Sequence, residues 1–401
     1  MKPRVNITPA NGRVPVRKIL IYGFFLFSSA YLVDIRPSFL ESIGLNASPI
    51  YLWTVIGTFA FLLYIILARD LVRLNLVALS SATMCFYLSI TQPLLKPQIN
   101  ALSHLIMSFF YAFVVSVTYR KPTDKDKLIE TIFLYVNLLF LTLDAFYRIG
   151  SFEKLRLGFL SLFTAEKYFY TLKTNSLMFG DSNLVGFLAV SLYVFAKYLD
   201  LQDKKMKKAF FLTSFFVFSL LSFSRAIYFV LAIFIILEVF EFFLKKKAQA
   251  VAKLLELLCF IYLVVFTLWP EFFNIIDDGS FQTKIFNAQI ARKFFTTWNS
   301  VYSVIGIGAG NAMFSEEIGM WMHNLLSVFI VETGYLGFAL FMFFLWSLIR
   351  ETGNKFPRFF ILLFLAGVSF VPYGIPYFYV MILYLNVRSR TKNHTFNTEV
   401  S

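Results

Sequence analysis

Charged residues are scarce in this sequence. Asp, Glu, Lys and Arg make up only 15% of the 401 residues, whereas 58% are hydrophobic. A soluble protein needs a charged surface, which takes about a quarter of its residues, so the shortage excludes an ordinary soluble domain. Apolar runs of about twenty residues recur along the whole chain. We therefore predict one integral membrane domain over residues 1–401.

Cysteine is also scarce, and several cofactor motifs are missing. The only two cysteines, Cys85 and Cys259, both fall inside apolar runs, so neither a disulfide framework nor a CxxC-type metal site is expected. The sequence contains no Walker motif and no external cluster of carboxylates. The sequence thus offers no motif of its own for a metal ion, a nucleotide or another cofactor.

The net charge of +14 raises the question of nucleic acid. The basic residues lie in short clusters between apolar runs, however, rather than along one amphipathic face. Such clusters are better explained by anionic lipid headgroups and by signals that orient a membrane protein. We expect contacts with membrane lipids and none with nucleic acid.

Twelve apolar runs predict an all-α polytopic membrane protein with about 12 transmembrane helices. No repeat or soluble domain interrupts them, and the last two are short enough to form one broken hairpin. The predicted spans are 19–35, 49–68, 74–92, 99–119, 128–148, 178–199, 208–224, 226–244, 254–269, 324–349, 358–372 and 374–388.

The distribution of basic residues predicts the orientation. If the N-terminus is cytoplasmic and the sides alternate, the cytoplasmic segments hold 26 of the 37 Lys and Arg residues. The positive-inside rule therefore places both termini in the cytoplasm. Two long external segments result, 149–177 and a large external loop, 270–322, between the ninth and tenth spans. The cytoplasmic segments are 1–18, 69–73, 120–127, 197–208, 245–253, 350–358 and 388–401.

Two polar features border external ends of the predicted spans. Residues 179–183 read Phe-Gly-Asp-Ser-Asn, and Asp181 and Asn183 are suited either to capping a helix or to binding a substrate. Ser224 and Arg225 join two spans with almost no loop. The Arg225 side chain could extend to headgroups or bind an anion, and we favour the anion because no external carboxylate lies within ten residues.

The large external loop carries the other candidates. Its amphipathic stretch, 281–298, predicts a helix on the membrane surface, so Arg292 and Lys293 could contact either lipid phosphates or a substrate. Residues 306–310 read Gly-Ile-Gly-Ala-Gly, which predicts close backbone approach and exposed N–H groups for an anion or a sugar, here centred on Gly308.

His323 and Asn324 begin the span that follows this loop. A lone histidine is more often structural than catalytic, but at a water-facing helix start it could accept a proton or contact a phosphate. Two arginines are also well suited to a diphosphate, because guanidinium groups form bidentate hydrogen bonds.

Four segments together resemble the bacterial O-antigen polymerase and O-antigen ligase superfamily. They are the Phe-x-Asp-x-Asn segment at 179–183, the Ser-Arg turn at 224–225, the external arginine Arg292 followed by Gly-x-Gly, and His323-Asn324 followed by Glu-Thr-Gly-x-x-Gly at 332–337. The resemblance covers about 178–340. The earlier spans are similar only in hydropathy.

The resemblance implies a metal-independent glycosyltransferase of the bacterial inner membrane that uses no nucleotide and no other cofactor, with its active site facing the periplasm. Its donor would be an oligosaccharide linked to undecaprenyl pyrophosphate. Arg225, Arg292 and His323 would be catalytic, and Asp181, Asn183, Lys293, Gly308 and Asn324 would bind substrate. A polysaccharide chain-length regulator is a possible partner.

Polymerase and ligase differ in the acceptor, and the sequence is compatible with both. We favour the polymerase because extreme divergence and an aromatic-rich composition are typical of that branch. A lipid-linked oligosaccharide flippase is an alternative from another class. It should show internal repeats and ionisable residues near mid-membrane, whereas the polar residues here lie at the external ends. A purely structural assembly protein would not need Arg225 and His323 together.

Overall fold

Helices make up nearly all of the described chain in the computed structural model. The description covers residues 22–23, 25, 56, 58–59, 75–118, 124–155, 172, 176–177, 182–199, 205–244, 247–274, 279–297, 300–313, 322–352, 355–369 and 377–399. Over these residues there is no β-strand, which confirms the all-α prediction for this part of the chain.

The described residues contain twelve α-helices and four short 3-10 helices. The α-helices are α1 (Leu76–Thr91), α2 (Ile99–Thr118), α3 (Asp124–Leu155), α4 (Ser182–Tyr198), α5 (Lys205–Leu220), α6 (Arg225–Leu244), α7 (Ala248–Leu268), α8 (Gly279–Thr297), α9 (Ser300–Ile305), α10 (Leu325–Thr352), α11 (Pro357–Ala366) and α12 (Phe378–Glu399). The 3-10 helices are Gln92–Leu95, Pro270–Phe273, Asn311–Met313 and Gly367–Ser369.

Each predicted span from 74–92 onward coincides with one of these helices, within a few residues at most ends. The two earlier spans lie outside the described residues, apart from isolated positions. Five helical segments are long and apolar enough to cross a membrane: Ile99–Val117, Asp126–Gly150, Arg225–Leu244, Ala248–Leu268 and Leu325–Thr352. This supports an all-α membrane protein, and the count of twelve spans stays a prediction.

Packing of aromatic rings joins the helices in the core. Phe109 of α2 contacts Phe344 of α10 edge to face, with ring centroids 5.0 Å apart, and Phe344 contacts Tyr379 of α12 at 5.0 Å. Because lipid is as apolar as these side chains, helices in a membrane associate by close packing rather than by escape from water. Helix α4 is buried over most of its length, and it therefore lies inside the bundle.

Helix α6 has the opposite character, since large apolar side chains remain exposed along it. Phe229 is 58% exposed, Ile235 51% and Phe242 76%. Such a surface is unfavourable in water but costs nothing against acyl chains. Helix α6 therefore lies at the periphery of the bundle, where lipid would surround it.

Ion pairs and lysine contacts gather several predicted cytoplasmic segments at one end of the bundle, which we call the basic end. Arg358 at the start of α11 pairs with Glu241 (2.7 Å) and Glu238 (3.2 Å) near the end of α6. Lys208 before the middle of α5 donates to the carbonyl of Lys197 near the end of α4 (2.7 Å).

Helix α12 reaches the same end as these residues. Its Arg388 pairs with Glu130 near the start of α3, and Lys355, between α10 and α11, donates to Ser389 of α12 (3.3 Å). Segments 120–127, 197–208, 350–358 and 388–401 were all assigned to one side by charge counting. The contacts bring parts of all four, or their immediate neighbours, to one end of the bundle.

The opposite end, which we call the motif end, holds the polar motifs. Helix α6 begins there at Arg225 and ends at the basic end, and α7 returns after a connection of three residues. Arg225 and Thr267, near the end of α7, therefore lie at the same end. The segment 270–322, predicted to be external, follows, and its described residues contain α8, α9 and two 3-10 helices. The predicted amphipathic stretch 281–298 is helical over α8.

Candidate functional site

A hydrogen bond joins two of the sequence motifs at the motif end. The Ser224 hydroxyl donates to Oδ1 of Asn183, 2.7 Å away. The Ile227 N–H points back to the Ser224 oxygen at 3.4 Å, in the manner of a capping residue at the start of α6. The structure thus brings together the Phe-Gly-Asp-Ser-Asn and Ser-Arg segments. Asp181 lies outside the described residues.

A buried ion pair in α3 supports this pair of motifs. Nε of Arg148 lies 2.7 Å from Oδ2 of Asp144, and Arg148 is fully buried. Nη1 of Arg148 donates to the carbonyls of Leu172 (2.9 Å) and Ser222 (3.4 Å). One guanidinium group therefore connects the chain leading to α4 with the turn leading to α6.

Asp144 also binds the segment that precedes α4. Its Oδ1 accepts hydrogen bonds from the Ser176 hydroxyl and from the Leu177 N–H, each at 2.7 Å. Arg148 ends the predicted span 128–148 and is fully buried. Its position inside α3 excludes direct contact from the surface, and its role is to position the neighbouring segments.

Arg225 is the first residue of α6, and its side chain is exposed. It follows Ser224 directly, so the Asn183 contact fixes the backbone from which the guanidinium group extends. Phe223 just before has a left-handed φ of 56°, which is uncommon for a bulky residue. The turn that presents Arg225 is therefore tightly constrained.

Asn324 caps α10 and ties it to α7. Its Oδ1 accepts a hydrogen bond from the Ser327 N–H (2.9 Å) and one from the Thr267 hydroxyl (3.2 Å). Asn324 is 1% exposed, and its Nδ2 has no hydrogen-bond partner within the described ranges. A buried donor without a partner costs about 1–3 kcal/mol, so an acceptor that reached this amide would be bound favourably. His323, immediately before it, is partly buried.

Arg292 and Lys293 are both exposed on α8. Nη1 of Arg292 pairs with Oε1 of Glu271 at 3.1 Å, and both side chains are half exposed. Sequence reasoning weighed a lipid contact against a substrate contact and missed this carboxylate. An exposed ion pair contributes about 0–1 kcal/mol, so Glu271 holds Arg292 only weakly.

The Gly-x-Gly-x-Gly loop has a structural role that differs from the prediction. Three of its central N–H groups are hydrogen-bonded within the protein: those of Ile307, Gly308 and Ala309 donate to the Val331 carbonyl (3.0 Å), the Glu332 carbonyl (3.1 Å) and the Gln92 side chain (2.7 Å). The predicted exposure of these N–H groups is therefore wrong, and Gly308 has no free N–H for a substrate.

Close backbone approach, the other half of that prediction, is confirmed. Gly308 has φ of 103°, and a Cβ atom there would lie 2.9 Å from the Leu95 carbonyl. Gly334 interrupts α10 with φ of 67° and ψ of −176°, a region open essentially to glycine alone. A Cβ atom on Gly334 would come within 2.6 Å of the Gly306 nitrogen. The two glycine motifs thus pack backbone against backbone.

The side-chain hydrogen bonds at the motif end form two groups, one around Asn183 and Ser224 and the other around Thr267 and Asn324. The antiparallel α6–α7 pair connects them, because it begins at Arg225 and returns near Thr267. The sequence analysis singled out Asn183, Ser224 and Asn324, but it missed Thr267 and the Asp144–Arg148 pair. The i, i+4 spacing of opposite charges inside an apolar run was the signal that could have shown it.

Comparison with known proteins gives no relative from which a function could be transferred. No family model matches the sequence. No curated protein and no solved structure matches it either. The interpretation of the site therefore rests on the chain's own residues and contacts.

Proposed function

We propose that this chain is an O-antigen polymerase, a glycosyltransferase that joins oligosaccharide repeat units carried on undecaprenyl pyrophosphate at the periplasmic face of a bacterial inner membrane. The observation that carries the proposal is the Ser224–Asn183 hydrogen bond. It joins two of the four motif segments at the end of the bundle where Asn324 caps α10.

The chemistry needs three functions from the protein. An acceptor hydroxyl attacks the anomeric carbon of the donor sugar, the bond from that carbon to the pyrophosphate oxygen breaks, and the hydroxyl proton leaves. Arg225 and Arg292 would stabilise the negative charge on the leaving pyrophosphate, since guanidinium groups form strong charge-assisted hydrogen bonds with phosphate oxygens. His323 would accept the proton or contact the pyrophosphate.

The remaining predicted residues have supporting roles in this proposal. Asn324 would donate its free amide to the glycan or the diphosphate, and Asn183 would hold the turn that carries Arg225. Because the Arg292–Glu271 pair is exposed and weak, a diphosphate with more than one negative charge can displace Glu271. Lys293 would add charge beside Arg292. Gly308 would shape the site through packing alone.

The proposal includes twelve spans with both termini in the cytoplasm, and this can be tested by labelling. In a chain whose Cys85 and Cys259 are replaced, a single cysteine at Lys293 should react with a membrane-impermeant maleimide in intact cells. A cysteine at Lys355 should react only after the membrane is opened. The reverse pattern would reject the orientation and with it the periplasmic site.

The enzymatic proposal is tested by deleting the gene and separating the surface polysaccharide on a gel. Loss of a polymerase leaves lipid A–core with a single repeat unit, whereas loss of a ligase leaves bare core. Loss of a flippase also leaves bare core, with lipid-linked units accumulating in the cytoplasm. Bare core would therefore overturn the polymerase proposal in favour of one of the other two.

Complementation of the deletion strain then tests the site residues. Arg225→Ala, Arg292→Ala and His323→Ala should each abolish long chains at normal protein levels. Replacing either arginine by lysine should leave only partial activity, because lysine cannot form two parallel hydrogen bonds to a phosphate. Normal chains from all three alanine variants would reject the site.

The Ser224 hydrogen bond is tested separately. Ser224→Thr keeps the hydroxyl donor and should retain more activity than Ser224→Ala. Ser219→Ala removes a buried hydroxyl that bonds only within α5 and serves as the matched control.

A further inference from the structure

A cavity away from the motif end contains a buried acidic side chain with no assigned role. It has a volume of about 480 Å³ and lies between α7, α10 and α11, with Glu256, Phe260, Leu345 and Phe364 among its lining residues. Glu256 is only 6% exposed, and its Oε2 has no hydrogen-bond partner in the described part of the chain. A carboxyl group in such a place marks a functional site unless the protein satisfies it.

The lining residues change in character along α7 in a regular order. Lys253 lies nearest the basic end and is exposed, Glu256 follows one turn later, and Leu257 and Phe260 come next. Residues three and four apart share one face of a helix. The cavity wall therefore presents a cation, then a carboxyl group, then apolar surface, on passing from the basic end toward the middle of the bundle.

Helix α10 contributes an aromatic side wall, and a second cation, Arg350, lies beside this wall but outside the cavity lining. Trp346 lines the cavity and is 49% exposed, and the Arg350 guanidinium group lies over its ring, 5.2 Å from the centroid. Phe260 and Phe364 close the apolar side, with ring centroids 5.1 Å apart. The exposure of Trp346 shows that the cavity opens sideways toward the surroundings of the bundle.

We propose that this cavity is a binding site for one anionic phospholipid. The order of groups in such a lipid matches the wall: its phosphate lies against Lys253 and Arg350, a glycerol ester carbonyl accepts a hydrogen bond from the Glu256 carboxylic acid, and one acyl chain lies along Phe260 and Phe364. A neutral carboxylic acid has one O–H donor for this contact. The site is separate from sugar transfer and does not depend on it.

Native mass spectrometry of the full-length protein in detergent tests the proposal, with phosphatidylglycerol, phosphatidylcholine and diacylglycerol offered in turn. Wild-type protein should retain phosphatidylglycerol with about fivefold preference or more over the other two, since each basic residue near the phosphate favours an anionic lipid by about that factor. Lys253→Ala should remove most of this preference. Lys247→Ala, an equal charge change at an exposed site outside the cavity, should leave it unchanged.

Variants at the carboxyl group separate lipid binding from folding. Glu256→Leu should reduce retention of phosphatidylglycerol about fivefold, the contribution of one hydrogen bond, while the melting temperature in detergent stays the same or rises, because a buried polar group without a protein partner is removed. Glu256→Gln keeps a donor and should bind nearly as wild type. Leu257→Trp should fill the cavity and exclude the lipid.

Three results would overturn the proposal. The first is equal retention by wild type, Lys253→Ala and Glu256→Leu. The second is a lower melting temperature of Glu256→Leu with unchanged lipid retention, which would make the carboxyl group structural. The third is displacement of phosphatidylglycerol by an equal amount of a polyprenyl phosphate, which would assign the cavity to an isoprenoid lipid instead.

Discussion

The guanidinium group of Arg148 lies 2.7 Å from the carboxylate of Asp144, one turn earlier in α3, and neither side chain reaches the surface. Arg148 donates onward to the Ser222 carbonyl, and Asp144 accepts from the Leu177 N–H. A charge pair in an apolar bundle is costly, and it is tolerated here because the backbone groups of two neighbouring segments complete its hydrogen bonds.

Breaking this pair should destabilise the protein strongly. Asp144→Asn leaves a buried arginine without its counter-charge, which costs about 3–5 kcal/mol, so the solubilised protein should melt well below wild type. Lys205→Ala, at an exposed position, should change the stability by less than about 0.5 kcal/mol. If Asp144→Asn melts at the wild-type temperature, the pair does not hold the two segments together.

The interruption of α10 gives a second prediction. Gly334→Ala forces an L residue into a glycine-only backbone region and also brings its Cβ against the Gly306 nitrogen. The cost should be at least about 1–3 kcal/mol, measured by the melting temperature. Gly150→Ala in α3 is the control, because a Cβ there meets nothing within 4 Å and alanine favours a helix by about 1 kcal/mol. Equal effects of both changes would contradict this account of Gly334.

Hydropathy alone predicted the helical segments well, and it failed where individual hydrogen bonds decide the structure. The spans 99–119 and 226–244 match α2 and α6 to within one residue, because a run of apolar residues reports directly on what can lie in lipid. Whether the Gly308 N–H is exposed or hydrogen-bonded depends on which carbonyl lies opposite it. That carbonyl belongs to Glu332, more than twenty residues away in the sequence, and no local pattern could identify it.

The partners of charged side chains were also hard to predict from the sequence. Arg292 was expected to face lipid or substrate, but its observed partner is Glu271, which precedes it by 21 residues at the start of segment 270–322. The pair could not be found from spacing, since the two residues lie on different helical segments. By contrast, Asn183 and Ser224, both singled out from the sequence, are joined directly by a hydrogen bond, and their membership of one substrate site stays a prediction.

The two members of the Arg292–Glu271 pair should have unequal effects on polymer length. Glu271→Gln frees Arg292 and should leave chain length normal, with a loss of stability of no more than about 1 kcal/mol. Arg292→Ala should reduce activity by about tenfold or more, because a hydrogen bond to a charged group contributes about 1.5–3 kcal/mol. The measurement is the chain-length distribution on a gel at matched protein levels. If both variants shorten the chains to the same extent, Arg292 acts only through its ion pair with Glu271.

Asn324 combines two functions that substitutions can separate. Its Oδ1 caps α10, whereas its Nδ2 is buried with no partner among the described residues. Asn324→Ser keeps a good cap but removes the amide donor, so the melting temperature should stay near that of wild type while activity falls about tenfold, the contribution of one hydrogen bond in a buried site.

Asn324→Ala removes the cap as well and should lose about 1 kcal/mol of stability in addition to activity. The comparison is informative because both variants lack the amide and only one lacks the cap. Full activity of Asn324→Ser would show that capping is the whole role of Asn324. If Nδ2 contacts the substrate, Asn324→Ser and Asn324→Ala should lose the same amount of activity, because both lack this donor. The two variants should differ only in stability.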